Sequence, residues 1–228
     1  MTPYRLHYAP DNASLVIRLA LEELRAPYMT VLVDRSAQGQ RTPAYLQLNP
    51  NGLIPVLETR DGPMFETAAI LLWLADRHGG LAPAPTEPER GALLKWLFFL
   101  SNTLHPALRM LFYPARYVGP EPVAHEQLRD TQRGRIAEYL AALDNHWAKA
   151  APPLLLALYL APMLRWLALY PRGSDTTWFD LGAYPALRVM AESLESRASV
   201  AAAQRAEGLG PTPFTAPRQP QPPEGNAT

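Results

Sequence analysis

The sequence predicts two unlike halves: a mixed α/β half, followed by a half built only of helices. Three observations carry this. Short alternating apolar runs and longer helical runs interleave up to about residue 80. A proline-rich stretch, GLAPAPTEP, then interrupts at 80–88. Beyond it every periodic segment has helical spacing and none has strand spacing.

The elements follow in order. YRLHY (4–8) alternates, with Tyr4, Leu6 and Tyr8 on one face of a short strand. APDN is turn chemistry, and Asp11 or Asn12 can cap the helix SLVIRLALEEL that follows. YMTVLVD alternates again as a second strand, and a polar loop is expected over 35–49. IPVLET and PMFE read as two strands joined through Arg60-Asp61-Gly62. TAAILLWLADRH is a helix stopped by Gly79-Gly80. The first half is therefore β-α-β then β-β-α over 1–80, and 81–88 is a linker.

Residues 89–210 hold the helices. ERGALLKWLFFLSNTLHPALRMLFY is long and apolar, with Pro106 expected to kink it. HEQLRDTQRGRIAEYLAALDNHWAKA is amphipathic, and YPALRVMAESLESR and SVAAAQRAEGLG are shorter. PPLLLALYLAPMLRWLALYP (152–171) is the most apolar run, but Pro162 and Arg165 interrupt it and it is barely long enough to span a bilayer; it reads as a buried helix. The last stretch, 211–228, is proline-rich and polar, and is expected to be a disordered tail.

Composition excludes several classes. Lys plus Arg equals Asp plus Glu, 21 against 21, so the chain has no electrostatic footprint for nucleic acid or an anionic membrane. There is no cysteine, hence no disulfide, thiolate metal site or cysteine nucleophile. The five histidines show no metal-ligand spacing, so no metal is expected. P-loop, G-x-S-x-G and dinucleotide fingerprints are missing. The N-terminal residues show no apolar leader core, which makes the cytoplasm the expected location.

The chemistry-bearing stretch is NPNGLIPVLETRDGPMFETAAI, 49–70. Pro55 cannot donate to a β-ladder and belongs at a strand start. If the Ile54-Pro55 bond is cis, the Ile54 backbone faces outward and can pair with an extended peptide-like ligand. Glu66 and Thr67 stand where a helix begins, and its free N–H groups attract an anion. With a carboxylate on the helix start and an ammonium on Glu66, the pair suits an amino-acid head group. The plainer alternative is a capped helix after an ordinary hairpin.

These motifs, with the β-α-β-β-α half and the all-helical second half, resemble the glutathione transferase superfamily over about residues 4–210, closest to its bacterial beta-class-like members. The resemblance implies a thioredoxin-like N-terminal domain that binds glutathione as co-substrate, an all-α second domain and a homodimer. It implies that Ile54 and Pro55 pair with the tripeptide's cysteine and that Glu66 and Thr67 hold its γ-glutamyl group. Leu53 stands where many members have Lys or Arg, which removes one polar contact at the glycine end.

A thiol of pKa ~8.5 is mostly protonated at neutral pH, so the protein must stabilise the thiolate. The segment YAPDNASLVIRLALEEL is similar to the beta-class segment that carries a cysteine, and Ala13 occupies that cysteine's place. Ser14 is the first candidate for holding the sulfur, Asn12 the second and Tyr8 the third. NTLHPALRMLFYPARY resembles the segment lining the second-substrate site. It places His105 there, with Leu104, Leu108, Arg109, Phe112 and Tyr113 as an apolar pocket with one polar handle. A histidine simply satisfied by a helix neighbour is the alternative.

One departure stands out. The family's Ser/Thr-x-x-Asp capping box falls here on Leu154 and Ala157, which cannot cap, so the helix after Pro153 is expected to start weakly. The expected function is a glutathione transferase that activates the thiol for attack on a small electrophile, with a detoxifying role. Two alternatives remain: a glutathione-dependent disulfide or peroxide reductase, and a non-catalytic binding module.

Overall fold

The computed structural model describes residues 3–226. The first half builds a four-stranded sheet in the order β2-β1-β3-β4, from β1 (Tyr4–Tyr8), β2 (Tyr28–Leu32), β3 (Val56–Thr59) and β4 (Gly62–Phe65). β1 runs parallel to β2, joined through helix α1 (Ser14–Glu23). β1 and β3 are antiparallel, as are β3 and β4. This is the thioredoxin-like arrangement expected for the first half. The hairpin between β3 and β4 turns at Arg60–Asp61, and Gly62 takes φ +117° there.

α1 is buried from Ser14 to Leu21. A helix buried around its whole circumference must be covered on every side. The sheet lies on one flank, while helix α3 (Thr67–His78), helix α8 (Leu154–Leu169) and the last helix, α10 (Ala198–Glu207), pack on the others. Through α1, and through α3 against α8, the two halves share one core.

The region expected as a loop over 35–49 contains a further helix, α2 (Pro43–Leu48). Its signal was present: the Thr42 side chain caps the Tyr45 N–H, and Pro43 takes a first-turn position.

The helical half comprises α4 (Arg90–Phe99), a π-helical turn over Leu100–Leu104, α5 (His105–Phe112), α6 (Ala115–Val118), α7 (Pro122–Trp147), α8, α9 (Pro185–Glu195) and α10. The π turn stands directly ahead of Pro106, whose missing N–H interrupts the helical ladder. α8 is buried from Leu155 to Leu167. Among the described residues no helix is long and apolar enough to cross a membrane.

Two expectations are corrected. The start of α8 does not lack an acceptor. The Leu155 N–H donates to the Leu81 carbonyl at 2.9 Å, and the Leu156 and Ala157 N–H groups both turn to the Pro153 carbonyl. A backbone group from the linker replaces the side-chain cap expected at Leu154 and Ala157. Leu81 is itself buried, so the linker is anchored rather than loose.

The stretch after 210 is not a free tail over its described residues. Phe214 is 1% exposed, and its N–H and that of Thr215 donate to the Glu195 carboxylate. Gly208 turns the chain with φ +62°; a Cβ there would stand 1.9 Å from the Gln221 carbonyl oxygen. The Tyr8 hydroxyl reaches Glu224. The organising donor is Arg165, fully buried on α8. It donates to the carbonyls of Leu209, Pro213 and Arg218 at 3.1, 3.2 and 2.9 Å. Prolines lack N–H donors but keep their carbonyls, so such a segment orders itself where the body supplies a donor.

Candidate functional site

A cleft of about 740 Å³ opens between the sheet-bearing half and the helices. Its first wall comes from three loops: 11–13 ahead of α1, 49–55 ahead of β3, and 66–69 at the start of α3. Its second wall comes from residues 97–116 of α4 to α6 and from Tyr159, Trp166 and Tyr170–Arg172.

The loop ahead of β3 is fixed by its own residues. Asn49 is buried; its amide accepts from the Asn51 N–H and donates to the Leu53 carbonyl at 2.8 Å. The Tyr45 hydroxyl donates to the same carbonyl at 2.8 Å. Gly52 has φ +59°, and a Cβ there would meet the Gln40 carbonyl at 2.8 Å, so no other residue fits without strain. The Ile54–Pro55 bond is cis. β3 begins only at Val56, which leaves Ile54 and Pro55 ahead of the ladder, lining the cleft together with Leu53.

Glu66 stands at the N-cap position of α3 with φ +71°, a conformation rare for a residue with a side chain, and its side chain makes no capping bond. It is exposed, faces the cleft and ion-pairs with no described residue. Thr67, the first residue of α3, is buried. Backbone strain of this kind clusters at binding sites.

The three sulfur candidates separate. Ser14 is fully buried and absent from the cleft wall; its hydroxyl donates to the Ala9 carbonyl at 3.1 Å. Tyr8 is 1% exposed, packs under the Arg18 guanidinium and is committed to Glu224. Burial and that bond push its phenol well above the ordinary range, the reverse of what a thiol activator needs. These placements correct the expectation for Ser14 and Tyr8. Asn12 and Ala13 line the cleft. The Asn12 carbonyl oxygen accepts from the Ala13 N–H at 2.8 Å, and its amide nitrogen remains as a donor.

The loop carrying Asn12 is held from below. Asp11, at φ +49°, is buried, and both its oxygens are occupied. Arg165 donates to it twice, at 2.9 and 3.0 Å; the Trp166 indole and the Tyr170 hydroxyl donate at 2.9 and 2.7 Å. The Asp11 N–H donates to Glu207 of α10, which also pairs with Arg18 at 2.7 Å. α8 and α10 therefore position the loop that places Asn12 on the cleft wall.

On the helical wall, His105, Leu108, Arg109, Phe112 and Tyr113 all line the cleft, as expected; Leu104 is buried behind them. The His105 Nδ1 lies 3.1 Å from the Tyr159 hydroxyl. Burial, helped by the Arg109 charge, pulls the His105 pKa down to about 4, so the ring is neutral at physiological pH. Sequence reading did not single out Arg35, Gln40, Arg41, Arg116, Tyr159 or Arg172 as site residues, all of which line the cleft. Arg41 precedes the recognisable cap of α2 by one residue and was within reach of the sequence; the others are brought in by packing alone.

Comparison with known proteins agrees with this geometry. The family profile described as the glutathione S-transferase N-terminal domain matches residues 13–77. A glutathione S-transferase of Xanthomonas campestris is 28% identical over 211 residues, covering 90% of this chain and 99% of that one. A sphingomonad glutathione S-transferase solved with glutathione is 32% identical, with a TM-score of 0.75, covering 90% of this chain and all of the other. A bacterial beta-class enzyme from Sphingomonas chungbukensis is 30% identical, with a TM-score of 0.73, covering 90% and 98%.

Proposed function

Since this chain belongs to the glutathione transferase family, we propose that its cleft binds glutathione, stabilises the thiolate and directs it at a small electrophile. The observation that carries the reading is the convergence on one cleft of Ile54-Pro55, the Glu66–Thr67 helix start and Asn12. The Ile54 backbone pairs with the cysteinyl backbone of the tripeptide. Glu66 takes the γ-glutamyl ammonium, while the N-terminus of α3 and the Thr67 hydroxyl take its carboxylate. Arg41, which donates to the Asn51 carbonyl at 3.4 Å beside Gly52, stands at the glycine end and substitutes for the basic residue absent at Leu53.

The chemical task is modest in energy. Lowering a thiol pKa from ~8.5 to ~7 requires about 2 kcal/mol of preference for the thiolate. One amide donor from Asn12 and the N-terminus of α1 supply effects of that size. The thiolate then attacks the electrophilic carbon, the C–S bond forms, the leaving group departs with its electron pair, and the thiol proton goes to solvent. Nothing here needs a metal. Residues 1–80 hold glutathione and 89–210 the electrophile. The enzyme acts as a homodimer in the cytoplasm, in a detoxifying role.

Calorimetry with glutathione tests the reading: saturable binding is expected in the micromolar to millimolar range. Turnover of chloronitroarenes above that of hydroperoxides or hydroxyethyl disulfide is the expected profile. No binding at high millimolar ligand refutes the proposal, and a preference for the disulfide replaces conjugation with reduction.

A further inference from the structure

The charge of the cleft differs from that of the chain. Lys plus Arg balances Asp plus Glu over the whole sequence. The cleft walls, however, carry Arg41, Arg109, Arg116 and Arg172 against the carboxylates of Asp11 and Glu66. Asp11 is spent: its two oxygens are taken by Arg165, Trp166 and Tyr170. Glu66 belongs to the ammonium of the first ligand. The two carboxylates of glutathione fall to the start of α3 and to Arg41, both on the sheet-bearing wall.

The helical wall is thereby left with positive charge that the first ligand does not use. Among the described residues Arg109, Arg116 and Arg172 are ion-paired with no carboxylate. Arg116 lies over the Tyr113 ring at 5.1 Å, an aromatic contact that holds the cation beside the cleft rather than neutralising it. Arg172 meets the neutral Gln219. Arg109 is half-buried, one turn along α5 from His105. A neutral ligand filling the space between Leu108, Phe112 and Arg109 would strip water from a guanidinium and return nothing. A carboxylate returns a charge-assisted, bidentate contact.

We propose that the second ligand of this cleft carries a carboxylate, held by Arg109 and Arg116 with Arg172 on the helical wall. This rests on the glutathione reading above. The carboxylate has two sources: an electrophile that is itself an acid, or a second glutathione. The aromatic and aliphatic residues around Arg109 fit the body of such a molecule, and the arginines fit its anionic end.

The test compares two products that differ in one charge and in the methyl group that masks it. Glutathione attacks 4-chloro-3-nitrobenzoate or its methyl ester at the carbon bearing chlorine; the C–S bond forms and chloride leaves. Calorimetry is run on the wild-type protein with glutathione, the acid conjugate and the ester conjugate. The acid conjugate is expected to bind roughly tenfold more tightly than the ester, as for a partly exposed charged hydrogen bond. In R109Q/R116Q the ratio should fall toward one, and in wild type it should shrink with added salt. Because each variant serves as its own control through the ratio, a general loss of affinity does not mimic the result. An ester that binds as well as the acid overturns the proposal, as does a ratio that survives the double substitution. Failure of glutathione itself to bind removes the reading beneath it instead. The stoichiometry of glutathione identifies the source: two per subunit, with the second lost in R109Q/R116Q, assigns the carboxylate to a second glutathione. One per subunit with an acid preference assigns it to the electrophile.

Discussion

Replacing Arg165 by methionine should be among the most damaging single changes in this protein. The guanidinium is 0% exposed and spans three parts of the chain. It donates twice to Asp11 ahead of α1, and its other N–H groups satisfy the carbonyls of Leu209, Pro213 and Arg218. Methionine keeps much of the volume but none of the donors. Asp11 would retain only the Trp166 indole and the Tyr170 hydroxyl against a buried negative charge. Removing one partner of a buried ion pair costs about 3–5 kcal/mol. For a chain of this size each kcal/mol moves the melting temperature by about 2–4 °C, so a drop of roughly 6–20 °C is expected. Urea unfolding and thermal melts of R165M measure it. D11N and D11N/R165M complete a cycle, and the double variant should lose less than the sum of the singles by about 0.5–3 kcal/mol. Proteolysis within 211–226 should accelerate in R165M because three carbonyls lose their anchor. A loss below about 1 kcal/mol, or strictly additive singles, would refute the claim that this pair ties the site loop to the C-terminal segment.

Other expectations follow from the same geometry. Asn12→Ala should raise the pKa of bound glutathione and lower kcat/KM by roughly ten- to a hundredfold, as for one lost donor to a developing anion; thiolate absorbance against pH reads it, and Ser14→Ala should leave the midpoint in place. Glu66→Ala should weaken glutathione binding by about 1.5–3 kcal/mol in calorimetry, the worth of a charged hydrogen bond. His105 gives a pH signature. Its folded pKa of about 4 lies below the ordinary value of 6.5, so the unfolded chain binds the extra proton first. Stability is therefore lost as pH falls from 6.5 toward 4, by roughly 1–2 kcal/mol once cleft water is allowed for, and His105→Leu should flatten that slope. Hydrogen exchange should find the Leu155 amide protected by its bond to the Leu81 carbonyl.

The sequence by itself determined the features whose causes are local. Alternation at 4–8 and 28–34, the Gly-stopped helix at 67–78 and the hairpin at 60–62 depend on residues within a few positions of one another, and each appears where its pattern lies. The loop ahead of β3 was legible for the same reason. Pro55 acts on its own neighbour and leaves Ile54 ahead of the ladder, on the cleft wall. The resemblance of NTLHPALRMLFYPARY placed His105 at the cleft, with Leu108, Arg109 and Phe112 on the same helix. Tertiary structure alone decided between Asn12 and Ser14. Two residues apart at the mouth of a helix, they differ by about 200° of rotation, and only the packing of α1 fixes which one turns outward. It also decided the fate of the proline-rich end, because the donor that orders it, Arg165, lies 44 to 53 residues away. The same holds for the start of α8, whose acceptor is a linker carbonyl, and for Asp11, whose charge is answered from 154 residues downstream. A hydrogen bond needs a partner within about 3 Å, and spacing along the chain does not encode that distance once the chain has folded back on itself.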